Sequence, residues 1–193
     1  MNKEMRMKKQ GLGVLGLCVM GALVSGCASN KMNMEEMMQA PSRPAELDAL
    51  NAFTGTWSTS WECTMEGMPE PMKGTGTSVV AWECDTWVLL ERFSGSMGED
   101  KFQGIGMWSY DPKSGKYPMR WMDSFGGVGD GTATYDAATR TWTVKGKGSG
   151  MQDSVMEGTM RFVDDNTMEW THTEWNSWKT QKTMSMKGTS RKQ

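Results

Sequence analysis

From Phe53 to the end of the chain, short runs of alternating apolar and polar residues are separated by turn residues. In one run, Trp142 and Val144 share one face of an extended strand, and Thr143 and Lys145 share the other. This period of two is typical of a strand with one buried face. The pattern predicts strands near residues 55–65, 74–83, 86–96, 101–110, 117–124, 130–135, 140–147, 154–163, 167–175 and 180–189.

The spacing of these strands suits antiparallel hairpins joined in sequence. No segment between them is long enough for the helix that a parallel crossover needs. We therefore expect an all-β fold, an antiparallel up-and-down barrel of about 8–10 strands whose closure removes exposed sheet edges. The preceding segment, AELDALNAF, places Leu47, Leu50 and Phe53 on one face of a short helix, which we expect to plug one end of the barrel.

One predicted strand does not divide into an apolar and a polar face. Its two faces carry Met168, Trp170, His172 and Glu174 on one side, and Glu169, Thr171, Thr173 and Trp175 on the other. The alternation therefore does not decide which of these residues face the interior.

The N-terminus has the layout of an export signal. A basic segment with Lys8 and Lys9 precedes an uncharged, glycine-rich stretch of residues 11–26. That stretch is short for a membrane-spanning helix. The residues Val24-Ser25-Gly26-Cys27 resemble a bacterial lipobox, in which the cysteine becomes the acylated first residue of the mature chain. The alternative is an ordinary cleaved signal peptide with a chance cysteine.

This resemblance implies a division of the chain into a signal peptide (1–26), a lipidated flexible tether (27–44) and a barrel domain (45–193). The lipid on Cys27 would anchor the protein in the membrane and place the barrel in an extracytoplasmic space. Ala28 follows the cysteine. In a Gram-negative cell this residue resembles the signal for the periplasmic face of the outer membrane.

Composition narrows the classes of function and of site. The formal net charge is −2, and no basic tract follows Cys27, which argues against nucleic acid as a partner. His172 is the only histidine, which excludes most metal sites built from several histidines. A hairpin turning near residue 69 would leave Cys63 and Cys84 roughly 30 Å apart, too far for a disulfide. We therefore expect both thiols to be free.

Several short motifs resemble one known family in their order and spacing. They are Leu50-x-x-Phe53-Thr54-Gly55-Thr56-Trp57, Gly106-x-x-Ser109-Tyr110-Asp111, Trp121-Met122-Asp123-Ser124 and Gly188-Thr189-Ser190-Arg191-Lys192. The chain resembles the DUF1579 family of uncharacterised, calycin-like bacterial proteins over most of residues 46–192. The Gly-x-Trp element is similar to the first-strand motif of lipocalins, whose Trp packs across the closed end. The resemblance implies a lipocalin-like barrel, and it implies no catalytic residues.

A barrel of this size can hold one small ligand, and Trp side chains with a few polar groups are typical pocket walls. The candidate lining residues are Trp61, Trp82, Trp108, Tyr110, Trp121, Asp123, Trp142 and Trp170. Each one alone is better explained as core. Arg120 and Trp121 are adjacent and must face opposite sides, so we expect Trp121 and Asp123 inside and Arg120 in solvent. The predicted function is binding of a small apolar or amphipathic molecule; the alternative is a structural module of the cell envelope with a filled barrel.

Two metal-based alternatives are weaker. Thioethers favour Cu(I), and methionines cluster at Met32, Met34, Met37 and Met38, and again at Met65, Met68 and Met72. However, Met is enriched along the whole chain, with 21 residues, which favours its use as adaptable apolar filler. Some calycin-like barrels hold haem through one histidine, which makes His172 a candidate ligand, although nothing else resembles a haem motif. We therefore expect no cofactor.

The sequence does not favour an enzyme. It contains no nucleophile elbow, phosphate-binding loop or metal-binding histidine motif. Acidic pairs such as Asp164 and Asp165 have the context of turns. The partners we expect are the membrane, through the lipid, and a small ligand.

Overall fold

A computed structural model describes residues 41–150 and 152–193. A 3₁₀ helix, Ala45–Phe53, leads into strands that follow one another along the chain. The ten strands are β1 (Gly55–Met65), β2 (Met72–Glu83), β3 (Val88–Met97), β4 (Asp100–Trp108), β5 (Tyr117–Asp123), β6 (Val128–Asp136), β7 (Thr141–Ser149), β8 (Ser154–Asp164), β9 (Thr167–Asn176) and β10 (Lys182–Lys192).

Each strand pairs antiparallel with the next, and β10 pairs back onto β1 to close the barrel. The closing register joins Trp57 to Lys192 and Met65 to Met184. The predicted all-β, up-and-down barrel is confirmed, with a strand number at the upper end of the expected range. Every turn between strands is too short for a helix, so a parallel pairing has no connection available.

The 3₁₀ helix closes one end of the barrel, as its sequence predicts. Leu47 and Leu50 are fully buried, and Phe53 is nearly so. Burying each Leu side chain contributes about 1.5–3 kcal/mol. The Phe53 ring lies 5.4 Å from Trp142 and 5.9 Å from Trp108 between centroids. The helix is thus held by apolar packing on the rings beneath it.

The Gly-x-Trp motif forms the junction between this helix and β1. Gly55 has φ of +122°, a conformation that only glycine adopts without strain. The turn directs Trp57 into the barrel, where it is 3% exposed. Its indole Nε1 donates a hydrogen bond of 2.7 Å to the carbonyl oxygen of Phe53. The Trp at the closed end, implied by the resemblance to lipocalins, is therefore present.

The strand register decides the faces of β9 that alternation leaves open. Met168, Trp170 and His172 are paired with Ser190, Gly188 and Met186 of β10. These β10 residues continue the row of Thr59, Trp61 and Cys63, which are buried in β1. Because directly paired residues share a face, Met168, Trp170, His172 and Glu174 face the interior.

The cysteines behave as the sequence suggests. Cys63 is buried and paired with Met72 across the first hairpin, whereas Cys84 is exposed in the turn after β2. Both are free. The hairpin turns slightly earlier than expected, because the pairing of Cys63 with Met72 centres the turn between residues 67 and 68 and not near residue 69.

The predicted signal peptide and the acylated Cys27 lie outside the described residues, as does nearly all of the predicted tether. Ser42–Gln193 form one compact unit. Within the described part of the chain, no helix has the length and apolar character needed to cross a membrane.

Candidate ligand-binding site in the barrel

The interior of the barrel has three layers between the closed end and the open end. At the closed end, a dense aromatic core surrounds Trp142, which is 0% exposed and lies 4.7 Å from Tyr117 and 4.5 Å from Tyr135 between ring centroids. The core residues are Leu47, Leu50, Phe53, Trp57, Val80, Leu89, Trp108, Tyr117, Ala133, Trp142 and Phe162.

Four of the predicted pocket residues belong to this closed end. Trp108 and Trp142 are core members. Trp82 donates its indole N–H to Asn51 Oδ1 at 2.8 Å, and Tyr110 packs on Tyr117 at 5.1 Å. The physical reason is the helix plug, which brings its own apolar face onto these rings. The structure therefore places them in the core and under the plug, not along the open part of the barrel.

A polar layer lies above the core. The hydroxyls of Thr59 and Ser190 are hydrogen-bonded at 2.8 Å, and Ser78 Oγ donates to Glu91 Oε1 at 2.5 Å. Burial raises the pKa of the Glu91 carboxyl, and the hydrogen bond from Ser78 opposes that rise. Glu91 is enclosed by the barrel wall, yet part of its surface remains accessible. Glu91 lies on the inner face of β3, between the aromatic core and the open end, and it forms the floor of the chamber that the inward-facing residues of the open half enclose.

Glycines line much of the wall of this chamber. By register, the inward-facing glycines are Gly74, Gly76, Gly95, Gly104, Gly106, Gly129, Gly131, Gly146, Gly148, Gly158 and Gly188. A position without a side chain leaves space on the inner face of a barrel. We call the chamber above Glu91 the upper lumen.

Aromatic rings lie against these glycines. The Trp61 indole covers Gly74, Phe93 covers Gly76 and Gly95, Trp121 covers Gly104, and Trp170 covers Gly188. In each case a Cβ on the glycine would collide with the ring. The rings are therefore held close to the backbone of the wall.

Four of the rings form a continuous wall. Phe93 lies 5.8 Å from Trp61, 5.1 Å from Phe102 and 6.2 Å from Trp121 between centroids. Phe93, Phe102 and Trp121 each keep part of their surface accessible. The indole N–H of Trp61 is buried and has no hydrogen-bond partner among the described residues. A buried N–H without a partner is costly, and an acceptor atom on a ligand would satisfy it.

The opposite wall carries sulfur and titratable groups. His172 Nε2 lies 2.9 Å from Glu174 Oε1, and this hydrogen bond is the main reason why the pKa of Glu174 is lowered. Burial, and next the charge of Glu174, raise the pKa of the Cys63 thiol. Cys63, Met186 and His172 stand side by side on three neighbouring strands.

The structure does not strengthen the two metal hypotheses. Among the described residues, no group of three or more His, Cys, Asp and Glu side chains is placed to hold a metal ion. Met68 lies on an exposed loop, away from the inward-facing Met65 and Met72. The cluster from Met32 to Met38 lies outside the described residues. The Nε2 atom of His172, which a haem iron could use, is occupied by Glu174.

Trp121 and Asp123 face the interior, as expected, and Arg120 faces solvent beside Asp130 at 3.4 Å. Asp123 has a local role that the sequence does not show. Its Oδ2 accepts a hydrogen bond from Trp121 Nε1, and its Oδ1 accepts from the backbone N–H groups of Phe125 and Gly127, all at 3.0 Å. Asp123 therefore fixes the loop after β5 and the orientation of the Trp121 ring.

The open end carries exposed apolar side chains on its loops. Phe125 is 60% exposed and stacks on Phe102 at 5.6 Å, which extends the aromatic wall to the rim. Trp178, on the loop between β9 and β10, is 84% exposed, and Met68 lies on the loop between β1 and β2. An apolar molecule entering the upper lumen would meet these side chains first.

The outer wall also carries a groove, of about 760 Å³. It is lined mainly by outward-facing polar side chains, including Ser60, Thr75, Thr171, Lys187 and Thr189. A second groove of about 430 Å³ adjoins it. Both are open and hydroxyl-rich, and the larger one reaches the Trp61 and Trp170 rings only where these lie over Gly74 and Gly188. Pockets for small ligands are mostly apolar and concave. The upper lumen matches that description better.

The sequence and the fold can be compared with known proteins. A family model described as "Protein of unknown function (DUF1579)" matches residues 43–192. No curated protein matches the chain.

Two solved structures share the barrel. The S-type phycobiliprotein lyase CPES from Guillardia theta is 8% identical, with a TM-score of 0.56 over 78% of this chain and 94% of that one. Rv2717c from M. tuberculosis is 12% identical, with a TM-score of 0.63 over 79% of this chain and 99% of that one. At such identities the likeness concerns the fold alone.

Proposed function

The chain belongs to the DUF1579 family of proteins of unknown function, and we propose that it is a membrane-anchored, extracytoplasmic binder of a small apolar or amphipathic molecule. The ligand occupies the upper lumen. The observation that carries this proposal is the set of aromatic rings seated on inward-facing glycines. Because each ring packs against the backbone of a glycine, its bulk stays at the wall of the barrel. This arrangement suits a chamber better than a packed core.

The exposure of the inward-facing residues supports the same proposal. At the closed end, Trp142 and Leu89 are almost completely buried. In the upper lumen, Phe93, Trp121 and His172 face inward and keep accessible surface, whereas Cys63 and Met156 are buried in its wall. Burying that apolar surface under a ligand would be worth roughly 25 cal/mol per Å². A structural module with a filled barrel would bury both halves equally.

The anchored location rests on the sequence of the N-terminus. The lipobox-like Val24-Ser25-Gly26-Cys27 would attach the chain to a membrane, and Ala28 favours the periplasmic face of the outer membrane in a Gram-negative cell. The described barrel begins after residue 41, which leaves room for a tether between lipid and domain. Mass spectrometry of the protein purified from membranes tests this part, since an acylated Cys27 at the N-terminus is expected.

We propose a binding role without catalysis. The groups that could act on a ligand are already engaged: His172 with Glu174, and Asp123 with three N–H groups. The raised pKa of Cys63 disfavours its reactive thiolate form. The fold itself is compatible with catalysis, because one protein that shares it is named a lyase.

Titration of the purified protein with the neutral apolar dye N-phenyl-1-naphthylamine tests the proposal. Saturable binding of one dye per chain, with a change in tryptophan emission, is expected. A Gly129→Phe variant, which fills the lumen from β6, should lose that binding while keeping its melting temperature within a few degrees. Linear, non-saturable uptake in both proteins would favour the structural alternative.

A further inference from the structure

The charged side chains that face the upper lumen are predominantly acidic. Below the rim its inward-facing acids are Glu91 on β3, Asp123 on β5 and Glu174 on β9, and the exposed Asp100 of β4 adds a fourth at the rim itself. His172 on β9 is the one imidazole that faces inward. The inward-facing described residues of this half of the barrel include no lysine or arginine. The inward-facing Lys192 belongs to the closed end, where its Nζ lies 5.3 Å from the Trp57 ring.

The three carboxylates below the rim differ in how well they are satisfied. Asp123 accepts hydrogen bonds from three N–H groups. Glu174 is paired through Oε1 with the His172 imidazole. Glu91 accepts a bond only on Oε1, from Ser78, among the described residues. Its second oxygen, Oε2, is therefore the unsatisfied acceptor at the floor of the lumen.

That oxygen lies beside an aromatic ring. A Cβ placed on Gly106 would be 3.3 Å from Glu91 Oε2 and 3.4 Å from Trp121 Cε3. Both groups therefore border the same small space on the inner face of Gly106. Phe93, two residues after Glu91, adds its ring to the same side. A carboxylate at the base of aromatic walls is the arrangement that binds organic cations, because the faces of the rings carry negative potential.

We propose that the ligand is an organic cation, an ammonium or substituted ammonium group on an apolar body, with the charge at Glu91 and the body against Trp61, Phe93 and Trp121. This inference rests on the proposed function and names its ligand class. A cation would satisfy Oε2 and would oppose the effect of the burial that raises the pKa of Glu91, so that Glu91 is ionised when the cation is bound. The carboxylates of the upper lumen would repel an anion. Interactions between charges are strong in a site that is shielded from water.

The test uses three water-soluble molecules of the same shape, namely 4-phenylbutylamine, 4-phenylbutanol and 4-phenylbutyrate. At pH 7 they carry positive, zero and negative charge. Isothermal titration of the purified full-length protein in nonionic detergent should give the order amine, alcohol, acid, with at least about a tenfold step between amine and alcohol for one charged contact. Micelles without protein provide the blank.

Two substitutions distinguish the contribution of Glu91 to cation affinity from the combined negative charge of the upper lumen. Glu91→Gln keeps the shape and should lower the affinity for the amine about tenfold while leaving the affinity for the alcohol within about twofold. Glu174→Gln is the matched control, because Glu174 is already paired, and should change the preference much less. If Glu91→Gln folds poorly, the order of the affinities of the three probes for the wild-type protein still tests whether the ligand is a cation.

The outcomes distinguish this inference from the proposed function. If the alcohol or the acid binds as tightly as the amine, the cation assignment is wrong and the binding function stands. If none of the three binds and the naphthylamine dye also fails, the binding function is wrong and the cation assignment falls with it. Equal losses of amine affinity in Glu91→Gln and Glu174→Gln would also contradict the role of Glu91.

Discussion

The indole ring of Trp61 occupies the space that a side chain on Gly74 would need, and the two residues are direct neighbours across the β1–β2 pair. This relationship explains how a strand can carry a large inward-facing ring without filling the barrel. The ring packs on backbone, and its far face meets Phe93 and Phe102 at 5.8 and 6.0 Å. The position of the Trp61 ring thus depends on the absence of a side chain at Gly74.

The first prediction concerns this pair. Gly74→Ala places a Cβ inside the Trp61 ring, so the ring must move into the upper lumen or the strands must separate. We expect a loss of about 1–3 kcal/mol in the free energy of unfolding, measured with urea, together with weaker dye binding. Gly129→Ala is the control, because its Cβ would meet only the flexible end of Met156 at 3.1 Å. Equal stability of the two variants would show that the ring is not fixed by Gly74.

The second prediction separates the core from the rim. Trp142→Ala removes a fully buried ring and should cost about 3–5 kcal/mol. Trp178→Ala removes a ring that is 84% exposed and should change stability by less than about 0.5 kcal/mol. Thermal unfolding of both variants checks this. Comparable losses would contradict the division of the tryptophans into closed-end core and open-end rim.

The third prediction concerns pH. The pKa of Glu91 is raised above its usual 4.5 in the folded protein, mainly by burial. The folded state therefore binds this proton more tightly than the unfolded state. That advantage is complete at low pH and is lost as the pH rises above the unfolded value and through the folded one.

In a series of measurements that starts below pH 4.5, wild type should thus lose stability relative to Glu91→Gln as the pH rises. The opposite trend is expected for Glu174→Gln. The pKa of Glu174 is lowered by its bond to His172, so wild type loses that contribution as the pH falls. Urea unfolding across this pH series measures both differences, and a common slope for the two variants would refute the assigned environments.

The fourth prediction concerns the two thiols. Cys84 is exposed and should react quickly with an aromatic disulfide reagent, whereas Cys63 is buried with a raised pKa and should react only on unfolding. In the proposed mature, acylated protein, which lacks Cys18 and carries lipid on Cys27, one fast thiol per chain is expected in wild type, and none in Cys84→Ser. Fast modification of that variant would mean that the lumen wall opens around Cys63.

Much of the fold follows from the sequence. The period of two in β7 and the turn residues between strands predict the hairpins, and Leu47, Leu50 and Phe53 predict the plug. The sequence does not predict which face of β9 points inward. Two of its inward-facing partners are glycines, Gly188 and Gly158, which show no apolar pattern. The inward-facing His172 and Glu174 are polar and therefore resemble residues of a solvent-exposed face. Only the register across ten strands resolves the two faces.

The eight lining residues predicted from the sequence divide into two groups in the structure. Trp61, Trp121, Asp123 and Trp170 face the upper lumen, whereas the other four candidates pack at the closed end. A count of aromatic residues cannot separate these groups, because the separation depends on distance from the plug. Glu91 was missed, although it alternates in phase with Leu89 and Phe93, a signal that alternation could have provided. The inward-facing glycines were missed because a glycine has no side chain to show its face.

The central claim is that a small molecule enters the upper lumen, and the indole N–H signals of the tryptophans test it most directly. In ¹⁵N-labelled protein titrated with 4-phenylbutylamine, the account predicts saturable shifts at Trp61 and Trp121, assigned by single Trp→Phe variants. The signal of Trp142, in the closed-end core, should stay in place. Shifts confined to Trp178, or no shift at Trp61 and Trp121 up to saturation of the probe, would contradict it.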